Sequence, residues 1–131
     1  MTRLARPTAW VALLLLAVLT LLPKDQMIRT GAAGWSEHLV AYFGTMLLFA
    51  VGYGDRIGVK RLAVGLVVYA GVLELGQHLA PGRSPALLDF LAGATGAVTA
   101  ALAYQYLRDR RKRPSGDGSK PQLQRSGKQL W

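Results

Sequence analysis

The sequence predicts an all-α polytopic membrane protein that folds as a bundle of four transmembrane helices. Of its 131 residues, 51% are hydrophobic, and the polar residues are confined to short stretches between long apolar runs. The basic residues also fall on alternate connections along the chain. A run of about 18 or more apolar residues crosses the roughly 30 Å hydrocarbon layer as a helix. A chain of this length holds one such bundle, with no room for a second domain.

The first apolar run, from residue 8 to residue 22, is short for a transmembrane helix. Because Arg3 and Arg6 precede it, the alternative is a signal peptide whose cleavage region is the small-residue stretch 31–34. Three charged residues separate the apolar run from that stretch. In a signal peptide the cleavage site follows the apolar core closely, so we expect a transmembrane helix here.

The other three helices are predicted at about 36–53, 62–80 and 85–107, with a loop at 54–61. Together with the first they form a transmembrane domain over residues 1–113. Residues 114–131 are rich in Ser, Gly, Pro, Lys and Gln, a composition typical of a disordered tail.

Small residues follow one another at intervals of four along the fourth helix. Such spacing lets helix backbones approach closely in membranes, so it predicts tight packing within the bundle or, alternatively, a homo-oligomer face. The two stripes are Ala92, Gly96 and Ala100, and Gly93, Ala97 and Ala101.

The formal charge of +9 is concentrated at the end of the chain, where residues 108–131 carry +6. A basic cluster directly after an apolar helix marks the cytoplasmic side of a membrane protein. Arg3, Arg6 and the basic residues of 54–61 fall on the same side if the N-terminus is inside, so both termini are predicted to be cytoplasmic. Attraction to anionic membrane lipids is expected of this charge. Nucleic-acid binding is not predicted, because the tail has no interleaved aromatic residues and no binding module.

On that topology the informative polar residues gather at the outer side of the bundle. Charged groups within membrane helices are costly and usually face a partner or a wet cavity, so we expect Arg83 to pair with both Glu74 and Asp89. The predicted ligand-binding residues are His38, Tyr42, Glu74, Gln77, His78, Arg83 and Asp89.

Three interpretations of this cluster stay open. It is an ion network that only holds the loop, a pocket for a lipid headgroup or other amphiphile, or an enzyme site with Glu74 or Asp89 as acid or base. A metal held by Glu74, His78 and His38 is less favoured, because the sequence has no known ligand pattern. No cofactor and no metal are predicted, and there are no cysteines.

The stretch from residue 74 to residue 89 resembles the signature of VanZ-like membrane proteins. That family carries Glu-x-x-Gln, then Pro-Gly-Arg, then an Asp that opens the last helix, matched here by Glu74, Gln77, Arg83 and Asp89. His38 with Tyr42 and Phe43 also resembles the family's His-x-x-x-Tyr-Phe. The sequence departs from the family where Gly34 and Trp35 replace Asp-Lys and where Gly93 replaces Asn.

The resemblance implies a bacterial protein of the cytoplasmic membrane, in a family whose named member is linked to glycopeptide antibiotic resistance. The function expected from residues and resemblance together is non-enzymatic binding of an amphiphile, such as a lipid-linked cell-wall precursor or an anionic lipid. Arg83 would meet its phosphate or carboxylate, and His38, Gln77 and His78 would add hydrogen bonds.

Overall fold

A computed structural model of the chain describes residues 2–22, 34–79 and 86–112. Over these residues the protein is all-helical, which confirms the predicted class. The predicted tail at 114–131 lies outside the described residues, as do residues 24–33 and the segment that contains Arg83. The helices are α1 (Thr2–Leu21), α2 (Gly34–Ile57), α3 (Val59–Gly76) and α4 (Leu87–Lys112), and a 3-10 turn, Gln77–Leu79, extends α3.

Helix α1 begins at Thr2, six residues before its predicted start, and Pro7 lies inside it. The first turns form because they pack on the end of α2: Ala5 and Ala9 are buried, and Arg6 Nε donates a hydrogen bond to the Gly52 carbonyl at 3.0 Å. A proline this close to a helix start removes only one intrahelical hydrogen bond.

The predicted loop at 54–61 is wrong. Helix α2 continues to Ile57 and α3 begins at Val59, so Gly58 alone joins them. Gly58 has a φ of +90°, a conformation that residues with a side chain rarely adopt. The sequence indicated a loop because the segment is charged, but the charged residues lie on the last turn of one helix and the first turn of the next.

Helix α2 packs against each of the other three helices, and most closely against α4. All six residues of the two small-residue stripes of α4 are buried, and two of them, Gly93 and Gly96, lie directly against α2. Gly96 lies against the Leu39 backbone, where an added Cβ would come within 2.3 Å of the carbonyl oxygen. Tight packing within the bundle is therefore confirmed, and a homo-oligomer that used the same stripes would have to displace α2.

Small side chains fill much of the interior of the protein, and many of its large apolar side chains lie on the outside. Alanines fill much of the interior, whereas α3 exposes a stripe of Val64, Val68, Val72 and Leu75. Large exposed apolar surfaces are rare in soluble monomers, and close packing through small residues is typical of helices in lipid.

Within the part of the chain that the structure describes, three helices are long and apolar enough to cross a membrane: residues 3–21, 59–79 and 87–112. The pattern therefore indicates a membrane protein. Helix α2 is not among the three, because polar residues at both its ends leave a shorter apolar stretch, from Leu39 to Tyr53. Four spans are thus not shown by hydropathy alone.

The bundle has two ends of different chemistry. At one, here called the basic end, the start of α1 meets the end of α2 through Arg6 and Gly52, and Arg108 of α4 forms a 2.7 Å ion pair with Asp55. The described basic residues all lie there: Arg3, Arg6, Arg56, Lys60, Arg61, Arg108, Arg110, Arg111 and Lys112.

At the opposite end, here called the polar end, Leu21 contacts Gly76, and Gly34 faces the carboxylate of Asp89. Its described residues include Glu37, His38, Glu74, Gln77, His78 and Asp89, and no Lys or Arg. The structure therefore gathers the described members of the predicted site at one end of the bundle.

Candidate functional site

Glu74 joins α3 to the beginning of α4. Its side chain is buried, and Oε1 accepts a hydrogen bond from the backbone N–H of Ala86. The Ala86 carbonyl in turn accepts the first hydrogen bonds of α4, from the N–H groups of Asp89 and Phe90. Ala86 therefore occupies the N-cap position, where backbone N–H groups lack intrahelical acceptors and negative charge is stabilised by the helix dipole.

Gln77 is the most buried polar side chain at the polar end, with 1% of its surface exposed. It follows Glu74 by three residues, so the two lie on the same side of the helix. Its amide nitrogen, Nε2, has no hydrogen-bond partner among the described residues. Leaving a buried donor unpaired costs about 1–3 kcal/mol, so the lack of an acceptor for this amide must have a reason.

His38 and Tyr42 form a stacked pair on α2, with ring centroids 6.3 Å apart. His38 Nδ1 lies 3.1 Å from the Gly34 carbonyl, while Nε2 is buried and finds no partner within the described part of the chain. Because the carbonyl can only accept, Nδ1 carries the proton, and Nε2 of the neutral ring is then an acceptor.

Tyr42 links this pair to the rest of the polar end. Its side chain is 1% exposed, and its ring packs on Gly93, one of the positions where the sequence departs from the VanZ-like pattern. The structure therefore joins His38 and Tyr42 of α2 to Gly93 of α4, at the same end of the bundle as Glu74 of α3.

The other predicted site residues lie further out or beyond the described residues. His78 is exposed and its ring contacts the Leu75 carbonyl at 3.1 Å. Asp89 lies half-buried in the first turn of α4, facing Gly34. Arg83 falls outside the described residues, so the predicted unit of Glu74, Arg83 and Asp89 stays a prediction.

Sequence reasoning missed the partner that the structure gives Glu74. The contact joins a side chain to a backbone N–H twelve residues away, and neither periodicity nor charge marks such a donor. It also missed Gly34 as a close neighbour of Asp89, because their helices are far apart in the sequence. Within the described ranges, no group of three His, Cys, Asp or Glu residues could hold a metal ion. No family model, curated protein or solved structure matches the chain.

Proposed function

We propose that the protein is a four-span protein of the bacterial cytoplasmic membrane that binds the headgroup of an amphiphilic lipid at its polar end. Both termini are cytoplasmic and the polar end faces outward. The topology is supported by the basic end, which holds every described Lys and Arg and would lie inside under the positive-inside rule. Helix α2 has 24 residues, which is long enough to cross the hydrocarbon layer, and its contacts with the other three helices reduce its exposure to lipid.

The observation that carries the binding proposal is the unpaired amide of Gln77. A fully buried Nε2 without a partner makes the free protein less stable, and a ligand oxygen would supply the missing acceptor. His38 Nε2 offers an acceptor at the same end of the bundle. A donor and an acceptor together suit a headgroup that has both phosphate or carbonyl oxygens and hydroxyl groups.

A lipid-linked cell-wall precursor and an anionic phospholipid both have this chemistry. The VanZ-like motif around Glu74, Gln77 and Asp89 supports a role in the cell envelope, with a link to glycopeptide resistance. Arg83 enters the proposal as the cation for the phosphate, on the strength of that motif alone.

The test replaces Gln77 with methionine, which keeps the length of the side chain and removes its polar atoms. Gln105→Met is the matched control, because Gln105 lies toward the basic end of α4. Purified proteins are titrated with a polyprenyl phosphate and with phosphatidylglycerol, and bound lipid is measured by native mass spectrometry. We expect Gln77→Met to bind at least fivefold more weakly while unfolding at a higher temperature, since an unpaired donor has been removed.

The same experiment addresses a second candidate, a purely structural role for the polar cluster. The bond from Ala86 to Glu74 favours it, because this contact fixes the start of α4 without any ligand. A structural cluster predicts that Gln77→Met leaves binding of both lipids unchanged. That result would overturn the binding proposal.

A further inference from the structure

A groove runs along the outside of the bundle between α1 and α3, with α2 as its floor. Its volume is about 220 Å³, and its walls include Trp10 and Leu13 of α1, Phe49 of α2, and Arg61, Gly65 and Tyr69 of α3. It lies nearer the basic end, so it shares no residue with the polar site described above. The proposed function does not account for it.

The groove has a charged mouth and an apolar interior. Arg61 lies in the first turn of α3, at the basic end, and Tyr69 lies eight residues further along the same helix. At 1.5 Å per residue the groove is therefore about 12 Å long, close to the depth of one leaflet of a roughly 30 Å hydrocarbon layer. The Tyr69 hydroxyl donates to the Leu13 carbonyl at 2.9 Å, which joins α3 to α1 at the deep end.

Arg61 is the charged residue of the lining, and it forms no ion pair with any residue that the structure describes. Lys60 precedes Arg61 in the sequence. On the neighbouring helices, the guanidinium of Arg6 from α1 lies 5.5 Å from the centroid of the Tyr53 ring of α2. The mouth is thus positively charged, and no carboxylate of the described residues pairs with Arg61, whereas the interior is mostly apolar. A ligand that complements both parts is an anionic amphiphile.

We propose that the groove holds one acyl chain of an anionic phospholipid, whose phosphate binds Arg61. Pockets for drug-sized ligands are about 300–1,000 Å³, so a narrow groove of about 220 Å³ suits a single chain better than a ring system. Trp10 bounds the groove at the same level as Tyr53, to which its indole donates a 2.9 Å hydrogen bond. Indole and phenol groups are enriched at the headgroup level of membranes, where this lipid would enter.

Two glycines make the steric test possible. A Cβ added at Gly65 meets nothing within 4 Å, so a leucine there fills the groove without displacing the protein's own atoms. Gly44 is equally open but lies outside the lining, on α2, and Gly44→Leu is its control. Arg61→Gln tests the charge, with Arg111→Gln as its control at the same end.

Each purified variant is titrated with phosphatidylglycerol and with phosphatidylcholine of identical chains, and binding is read by native mass spectrometry. We expect Arg61→Gln to bind phosphatidylglycerol about fivefold more weakly, which is the effect of removing one basic side chain near an anionic lipid. Its affinity for phosphatidylcholine should be unchanged. Gly65→Leu should weaken the binding of both lipids, and neither control substitution should change binding. An equal loss in Arg111→Gln, or none in Gly65→Leu, would overturn the proposal.

A second measurement leaves every residue of the groove unmodified. In a Trp35→Phe/Trp131→Phe background, Trp10 is the remaining indole. Phosphatidylglycerol with brominated chains should quench its fluorescence at lower lipid concentration than brominated phosphatidylcholine does. Equal quenching by the two lipids would show that Trp10 meets only bulk lipid, which contradicts the site.

Discussion

At the scale of single residues, two glycines of α4 determine how closely α4 approaches α2. Gly93 lies under the Tyr42 ring, where an added Cβ would come within 2.9 Å, and Gly96 lies under the Leu39 carbonyl. The Leu39 backbone moves less easily than the Tyr42 side chain does, so an added side chain is tolerated less well at Gly96 than at Gly93. The approach matters for the site because Tyr42 and His38 belong to the same face of α2.

Gly96→Ala is expected to destabilise the protein strongly, because an added Cβ would lie 2.3 Å from the Leu39 oxygen. Overpacking of this kind costs about 1–3 kcal/mol or more. Gly44→Ala is the control, since its Cβ meets open space and alanine favours the helix by up to about 1 kcal/mol. Thermal unfolding in detergent checks both, and equal melting temperatures would show that α4 can shift away from α2.

Substitutions of Glu74 test a hydrogen bond rather than steric overlap. Glu74→Gln retains an oxygen for the Ala86 N–H and removes the carboxylate near the helix N-terminus, whose charge there is worth about 0.3–1 kcal/mol. Glu74→Leu removes the acceptor as well and should cost about 1–3 kcal/mol more, measured by the same thermal unfolding. Equal stability of Gln and Leu variants would mean that the bond to Ala86 contributes nothing.

The sequence predicted which residues of the site are unusual, but not what they contact. An acid at position 74 within an apolar helix, next to Gln77 on the same face, is visible from residue type and spacing. The partner of Glu74 is a backbone group, which every residue except proline has, and burial of Gln77 depends on how four helices meet. Both are consequences of packing between distant segments.

At the scale of elements, α2 and α3 form a helical hairpin with one residue between them. The charged segment was predicted as a loop because Asp55, Arg56, Lys60 and Arg61 resemble a solvent-exposed connection. They remain helical because the hydrogen bond from the Gly58 N–H to the Gly54 carbonyl completes α2, and the Leu62 N–H uses the Gly58 carbonyl to begin α3. Such a short connection has no pattern that hydropathy could detect.

Gly58→Ala should therefore destabilise the hairpin. A φ of +90° with ψ of 133° is a conformation that costs residues other than glycine about 1–3 kcal/mol. No atom lies within 4 Å of the added Cβ, so the loss would be one of backbone strain alone. A melting temperature equal to that of the wild type would show that the turn relaxes without cost.

At the scale of the whole molecule, the separation of charge between the two ends sets the orientation. If the basic end is cytoplasmic, reporter fusions made within the full chain at Gly58 and after Arg113 should read as inside, and those at Gly31 and Gly82 as outside. Replacing Lys60 and Arg61 by glutamine in the Gly58 fusion should leave the reading unchanged, because the basic residues of α1 and α4 remain. An external reading at Gly58 would place the polar end in the cytoplasm.

The single-residue connection also has a consequence for how the chain is made. Helix α2 does not qualify as a span by itself, whereas α3 does. On the proposed topology the two helices enter the bilayer together, because a connection of one residue is too short for α2 to remain outside the membrane while α3 crosses it. A reporter fused to a chain truncated at Gly58 should read as outside, because α2 alone does not insert, whereas the same reporter placed at Gly58 in a chain that continues to Leu79 should read as inside. During synthesis, α3 then acts as the segment that carries its predecessor into the membrane.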